Sequence, residues 1–222
     1  MTPFAEIRER AEARKGGAAA LAELMPPVKS PDELRRIPDR RWLAGMTKRI
    51  FQAGFVWKVI DNKWDGFEAA FEGFDPKRLA YLSDDDMDRL VSDERIIRNG
   101  QKIATVPHNA GLLLELAGEH GSAAACFADW PDEDFGGLLD MLKRRGKRLG
   151  GNTGQMFLRF MGKDSFVLSG DVARALIAAG VVDKEPKSKR DLAAVQDAFN
   201  AWRAESGWPM THISRTLAMS VD

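Results

Sequence analysis

The sequence is poor in the residues from which disulfides, metal centres and thiol chemistry are built: one cysteine, Cys126, and three histidines among 222 residues. A lone cysteine excludes an internal disulfide and a multi-cysteine zinc site, and it fits a reducing compartment. His108, His120 and His212 lack the spacing of metal ligands, so neither a metal nor a cofactor is expected. No stretch is apolar and long enough to cross a bilayer. The amino terminus, MTPFAEIRERAEARK, has no apolar signal core, so a cytoplasmic protein without a membrane partner is expected. An excess of one charge is also missing, because 33 Lys and Arg balance 33 Asp and Glu. With no global field, any site for a polyanion has to come from local clustering. The even balance and the absence of a long heptad favour a monomer. Runs of β-branched residues alternating with period two are absent as well, which makes the expected fold all-α.

What is present is helical periodicity, punctuated by caps and breakers. Phe4, Ile7 and Ala11 share one face of a charged helix, and Pro26 and Pro27 end the helical run that follows Gly16 and Gly17. Ser30 before Pro31 reads as the cap of a short helix over 31–37. Residues 1–38 are therefore expected to form an N-terminal helical leader, with a helical domain over 39–222. From Arg41 to Asp61 the spacing of Met46, Ile50, Phe51, Ala53, Val56, Trp57 and Ile60 predicts a buried helix kinked near Gly54. Phe67, Ala70, Phe71 and Phe74 make the next apolar stripe. Asp75 and Ser83 precede further helices, and the acidic Asp84, Asp85 and Asp86 suit a first turn better than a metal cluster. Lys102 and Arg98 read as a solvated helix face, and Pro107 is expected to kink the helix that carries Leu112, Leu113 and Leu116. Leu192–Ala204 is amphipathic, and Trp208–Met219 closes the chain.

The stretch with the most chemistry is KRRGKRLGGNTGQMFLRFMGKDSFVLSGDVARAL, Lys143 to Leu176. A basic helix end runs into the glycine-rich turn LGGNTG and then into an apolar helix. Such a turn presents several backbone N–H groups to one anion, and a helix N-terminus favours that anion through its unsatisfied donors and dipole. Lys143, Arg144, Arg145, Lys147 and Arg148 lie immediately before it. The expected phosphate clamp consists of Lys147, Arg148, Gly150, Gly151, Asn152, Thr153 and Gly154.

Several motifs then fall into a recognisable order: Q-A-G-x-x-W from Gln52 to Trp57, F-D-P from Phe74 to Pro76, I-I-R-x-x-x-K-I from Ile96 to Ile103, and Asn109-Ala110. With LGGNTG and VLSGDVARAL behind them, this framework resembles the 3-methyladenine DNA glycosylase I family of the helix-hairpin-helix glycosylase superfamily, over roughly residues 41–176. The resemblance implies an all-α, helix-hairpin-helix glycosylase-like fold. It also implies a monofunctional hydrolase of base excision repair whose partner is double-stranded DNA containing a damaged base. The base pocket it implies comprises Trp57, Gln52, Arg49, Phe51 and Ser169.

The chain departs from that family at chosen places. Ser169 stands where many helix-hairpin-helix glycosylases carry a catalytic aspartate, and Asp171, two positions on, becomes the candidate catalytic acid. Arg49 stands where the 3-methyladenine subfamily carries a base-recognising glutamate, eight residues before the tryptophan. With one tyrosine, the early aromatic motif of that subfamily is lost, and its Cys/His zinc site cannot be assembled. An indole attracts a cationic base by about 0.5–2 kcal/mol. A guanidinium at about 4 Å repels the same base by several kcal/mol at intermediate dielectric. Either Arg49 points away from the pocket or the substrate is not a cationic adenine. The alternative to an enzyme is a catalytically silent protein that binds DNA damage or DNA structure on the same scaffold.

Overall fold

The computed structural model describes residues 1–222 and contains helices and loops but no strand. In chain order the helices are α1 (Phe4–Lys15), α2 (Ala18–Glu23), α3 (Pro31–Arg35), α4 (Asp39–Gln52), α5 (Trp57–Asn62), α6 (Trp64–Ala70), α7 (Pro76–Leu79) and α8 (Asp84–Ser92). They continue as α9 (Gly100–Ile103), α10 (Thr105–His120), α11 (Ala123–Asp129), α12 (Phe135–Arg145), α13 (Asn152–Met161), α14 (Gly170–Ala178), α15 (Lys189–Ser206) and α16 (Met210–Met219). None is long and apolar enough to cross a membrane. Local chemistry sets many of the starts. Ser30 with Glu33, Ser83 with Asp86 and Ser188 with Asp191 each form a reciprocal capping box, which satisfies donors a helix start leaves open. The acidic run at Asp84 is thus the first turn of α8, and no group of His, Cys, Asp or Glu in the chain is arranged to hold a metal.

The chain divides into two compact units, and the division differs from a leader over 1–38 followed by one domain. One unit joins residues 1–29 to 131–138 and 162–222. Here α1 is held from the far end of the sequence. The Glu205 carboxylate accepts the N–H groups of Phe4 and Ala5 at 3.0 Å each, and the Trp202 indole donates to the Thr2 carbonyl at 3.1 Å. A carboxylate at a helix N-terminus satisfies orphan donors and meets the positive end of the dipole. Asp164 does the same for α16, accepting from the N–H groups of Met210 and Thr211 at 3.0 and 2.8 Å. Around them Phe166 stacks on Phe199, with Phe135 and Trp202 edge-on.

The second unit comprises residues 30–130 and 139–161, and α4 is its axis. Trp42, Met46, Ile50 and Phe51 on α4 are fully buried. Trp42 packs against Phe127 and Phe157, and Phe51 meets Phe67 edge-on at 4.7 Å. Gly45 lets α13 approach, since a Cβ there would lie 2.7 Å from the Met161 sulfur. Pro107 occupies the first turn of α10, where its missing N–H is one the helix leaves unpaired anyway, so it starts the helix and does not kink it.

Candidate functional site

Residues 41–61 do not form one buried helix. The helix α4 stops at Gln52, residues 53–56 leave the helical path with Gly54 at φ +75°, and α5 begins at Trp57. Lys102 sets the stop. Far from being a solvated face, it is 4% exposed, and its ammonium donates to the carbonyls of Phe51 (3.0 Å) and Ala53 (2.7 Å). A cation at a helix C-terminus satisfies carbonyls that have no further turn to bond and meets the negative end of the dipole. Burial, and then the charge of Arg148, pull the Lys102 pKa down from its ordinary value. Arg98, by contrast, is exposed beside Glu94.

The break opens a cavity of about 260 Å³ between the end of α4, the start of α5 and the first turns of α13. It is lined by Arg49, Gln52, Phe55 and Trp57 on one side and by Asn152, Thr153 and Met156 on the other. The indole of Trp57 is 42% exposed, and Phe160 of α13, 54% exposed, meets it edge-on at 5.8 Å. Trp57 is therefore a surface ring at a cavity mouth and not a core ring. Phe160 has no counterpart among the residues singled out from sequence; its one signal is a large apolar side chain on the outer face of an amphipathic helix.

Arg49 enters this site. Its guanidinium carbon lies 3.9 Å from the centre of the Phe160 ring and 5.2 Å from that of Trp57. No carboxylate pairs with it, and its Nη1 is buried without a hydrogen-bond partner. Burial pushes its pKa down to about 10, opposed in part by the charge of Asp61. Gln52 is buried next to it in the lining, with an amide whose two ends are treated differently. Its Nε2 donates to Asp61 Oδ1 at 3.3 Å, while Oε1 is buried with no partner. A carboxylate only accepts, so Asp61 fixes which end of the amide faces it. Lys48 holds Asp61 in turn, at 2.8 Å.

The loop from Gly146 to Gly151 leads into α13 and is pinned from α10. Asn109 is buried and clamps Lys147 by both backbone groups, accepting from its N–H at 2.8 Å and donating to its carbonyl at 3.2 Å. Leu149 is fully buried, and Gly154 allows the close turn, since a Cβ there would lie 2.3 Å from the Leu149 carbonyl oxygen. Arg148 and Gly151 take positive φ of 57° and 58°. The five basic residues are not equivalent. Arg145 is held by Glu115 and Glu119, which raise its pKa, and Arg144 by Asp140 at 2.8 Å. Lys147 and Arg148 are exposed and make no ion pair, with Arg148 donating to the neutral Gln101 at 2.6 Å.

The remaining predicted site residues lie elsewhere. Phe51 is core, packed on Phe67, and does not line the cavity. Ser169 is the N-cap of α14, accepting from the Val172 N–H at 3.3 Å. Asp171, in the first turn of that helix, is exposed and paired with Arg174 at 2.6 Å. Both belong to the other compact unit, which contributes none of the cavity's lining. Cys126 is buried, and burial pushes its thiol up to about 11, away from thiolate chemistry.

Comparison with known proteins gives a consistent set of likenesses. The family model of methyladenine glycosylase matches residues 37–134. The DNA-3-methyladenine glycosylase 1 of Escherichia coli (strain K12) is 37% identical over 65 residues, covering 29% of this chain and 35% of that protein. The DNA-3-methyladenine glycosylase of Haemophilus influenzae is 33% identical over 73 residues, covering 32% of this chain and 40% of that one. The matched part thus spans well under half the length of these relatives. Among solved structures, 3-methyladenine DNA glycosylase I from Staphylococcus aureus is similar over 62% of this chain and 79% of its own, with 22% identity and a TM-score of 0.49.

Proposed function

We propose, since residues 37–134 match the family model of methyladenine glycosylase, that the chain is a DNA glycosylase acting on a damaged base. The observation that carries this reading is a cavity lined both by an exposed indole and by the amino end of α13, directly after a loop with two basic side chains that make no ion pair. The parts divide the work by their chemistry. The N–H groups at the start of α13, with Lys147 and Arg148, suit a DNA phosphate, which gives position without reading sequence. The indole of Trp57 offers a face to a base taken out of the stack. Extrusion costs a few kcal/mol, and less for a damaged or mismatched base. Water then attacks C1′ of the deoxyribose, the bond from C1′ to the base nitrogen breaks, and the base leaves with the bonding electrons, giving a free base and an abasic site. No lysine lines the cavity, so no amine is placed to form an imine with C1′, and hydrolysis without strand cleavage is the expected outcome.

Duplexes carrying a panel of alkylated, deaminated and oxidised bases provide the test, with freed base measured by chromatography and abasic sites by alkaline cleavage. The protein is expected to release at least one of these bases, and Trp57→Ala to lose release while still binding an abasic duplex. Binding of the abasic duplex with no base freed from any substrate would instead favour the non-cleaving damage binder. Failure to bind it in low salt would remove both DNA readings.

A further inference from the structure

The glycosylase reading leaves open what kind of base the cavity accepts, and the inference that follows rests on that reading. Two side chains lining the cavity are at least nine-tenths buried and end in a polar atom without a partner: Nη1 of Arg49, a donor, and Oε1 of Gln52, an acceptor. Buried polar groups are normally satisfied, and one left over on a side chain that lines a cavity is a demand for a ligand. Neither is an accident of side-chain freedom. Asp61 fixes the Gln52 amide by taking its NH₂ end, and the rings of Phe160 and Trp57 hold the guanidinium from the side. The demand therefore has a defined form, namely one acceptor for a charged donor and one N–H for an amide oxygen.

From this geometry we infer that the cavity selects an uncharged base with a lactam edge, a carbonyl oxygen beside a ring N–H, as in hypoxanthine or uracil, and rejects a cationic N-alkyladenine. The carbonyl accepts from Arg49 and the ring N–H donates to Gln52. A cationic base would place its charge against a guanidinium that forms no ion pair, whereas the lactam base gains from it. When water bonds to C1′ and the glycosidic bond breaks, the electron pair stays on the departing base and spreads onto the lactam oxygen. The proton released by the water ends on that base. A positive charge beside the developing anion lowers the barrier to that departure. Arg49 keeps its proton throughout and acts through its charge and its N–H.

Wild type, Arg49→Glu and Arg49→Gln are compared in two assays. The first is base release from duplexes containing one hypoxanthine or one uracil, and from methylated DNA whose cationic product is 3-methyladenine. The second is calorimetric binding of free hypoxanthine, uracil and 3-methyladenine. Wild type is expected to favour at least one lactam base over 3-methyladenine by tenfold or more in both assays. Hypoxanthine against uracil then identifies the ring. Arg49→Gln flattens the preference and Arg49→Glu reverses it. Preference of wild type for 3-methyladenine in either assay overturns the inference and leaves the glycosylase reading standing. Binding of a lactam base without release of any base supports the pocket assignment and removes the glycosylase reading. Absence of both binding and release of lactam bases overturns the inference. An Arg49→Glu protein that folds but keeps the wild-type order overturns it too.

Discussion

Replacing Arg49 with methionine should make the protein more stable while removing its selectivity, and the size of the gain follows from the site. Burial lowers the guanidinium pKa from its ordinary value by between two and three units, to about 10. At 1.36 kcal/mol per unit this corresponds to about 3 kcal/mol by which the folded state disfavours the charge. Against it stand the contacts with the rings of Phe160 and Trp57, together worth about 0.5–2 kcal/mol. Methionine keeps an unbranched apolar stem and gives the same rings a polarisable sulfur. The net expectation is a gain of about 1–2.5 kcal/mol, or roughly 2–10 °C in Tm for a chain of this size. Urea unfolding, followed by circular dichroism and by tryptophan fluorescence, measures it. The dependence on pH gives a second, sharper signature. Above about pH 10, and until the unfolded arginine itself titrates, the unfolded chain keeps a proton that the folded one has lost. The unfolded state then binds more protons, so wild-type stability rises with pH relative to the variant. The advantage of Arg49→Met should be constant near neutrality and shrink as pH passes about 10. A variant less stable than wild type, or an advantage unchanged through that range, would refute the account of Arg49 as a charge held at a cost to stability. A charge kept under those conditions fits a functional role better than a structural one.

Three further outcomes follow from the same contacts. Lys102→Met should cost about 2–4 kcal/mol, because it leaves the buried Phe51 carbonyl and that of Ala53 without their donor and removes the charge at the end of α4; thermal unfolding measures the loss, and base release should fall with it because the cavity edge is no longer held. Asn109→Ala should destabilise by about 1–3 kcal/mol by freeing the Lys147 backbone, and hydrogen exchange at residues 146–151 should speed up more than in α4; equal protection in both would argue against Asn109 as the pin of the loop. Lys147→Glu combined with Arg148→Glu should weaken duplex binding uniformly across sequences and reduce the slope of log affinity against log salt by about 2, whereas an unchanged slope would place the phosphate contacts elsewhere.

By itself the sequence determined what depends on neighbours within one helical turn. Ser30, Ser83 and Ser188 start their helices because the partner in each capping box is three residues away. The ordered motifs also marked Trp57, Gln52, Arg49 and the turn before Asn152, and these do meet, in the lining of one cavity or in the loop beside it. Tertiary structure decided what depends on partners far along the chain. Lys102 stops α4 some fifty residues earlier, so the pattern of residues 41–61 could not reveal that Val56 and Trp57 would leave the core. Glu205 fastens α1 from two hundred residues away, so a run that reads only as an N-terminal helical leader belongs to a packed unit. The direction of Arg49 was decided in the same way. A guanidinium on a helix turns toward whatever it can touch, and only the approach of α13 set the Phe160 ring beside it. Hydrogen bonds inside a turn are written locally, but the burial and direction of a long charged side chain are properties of the packed whole.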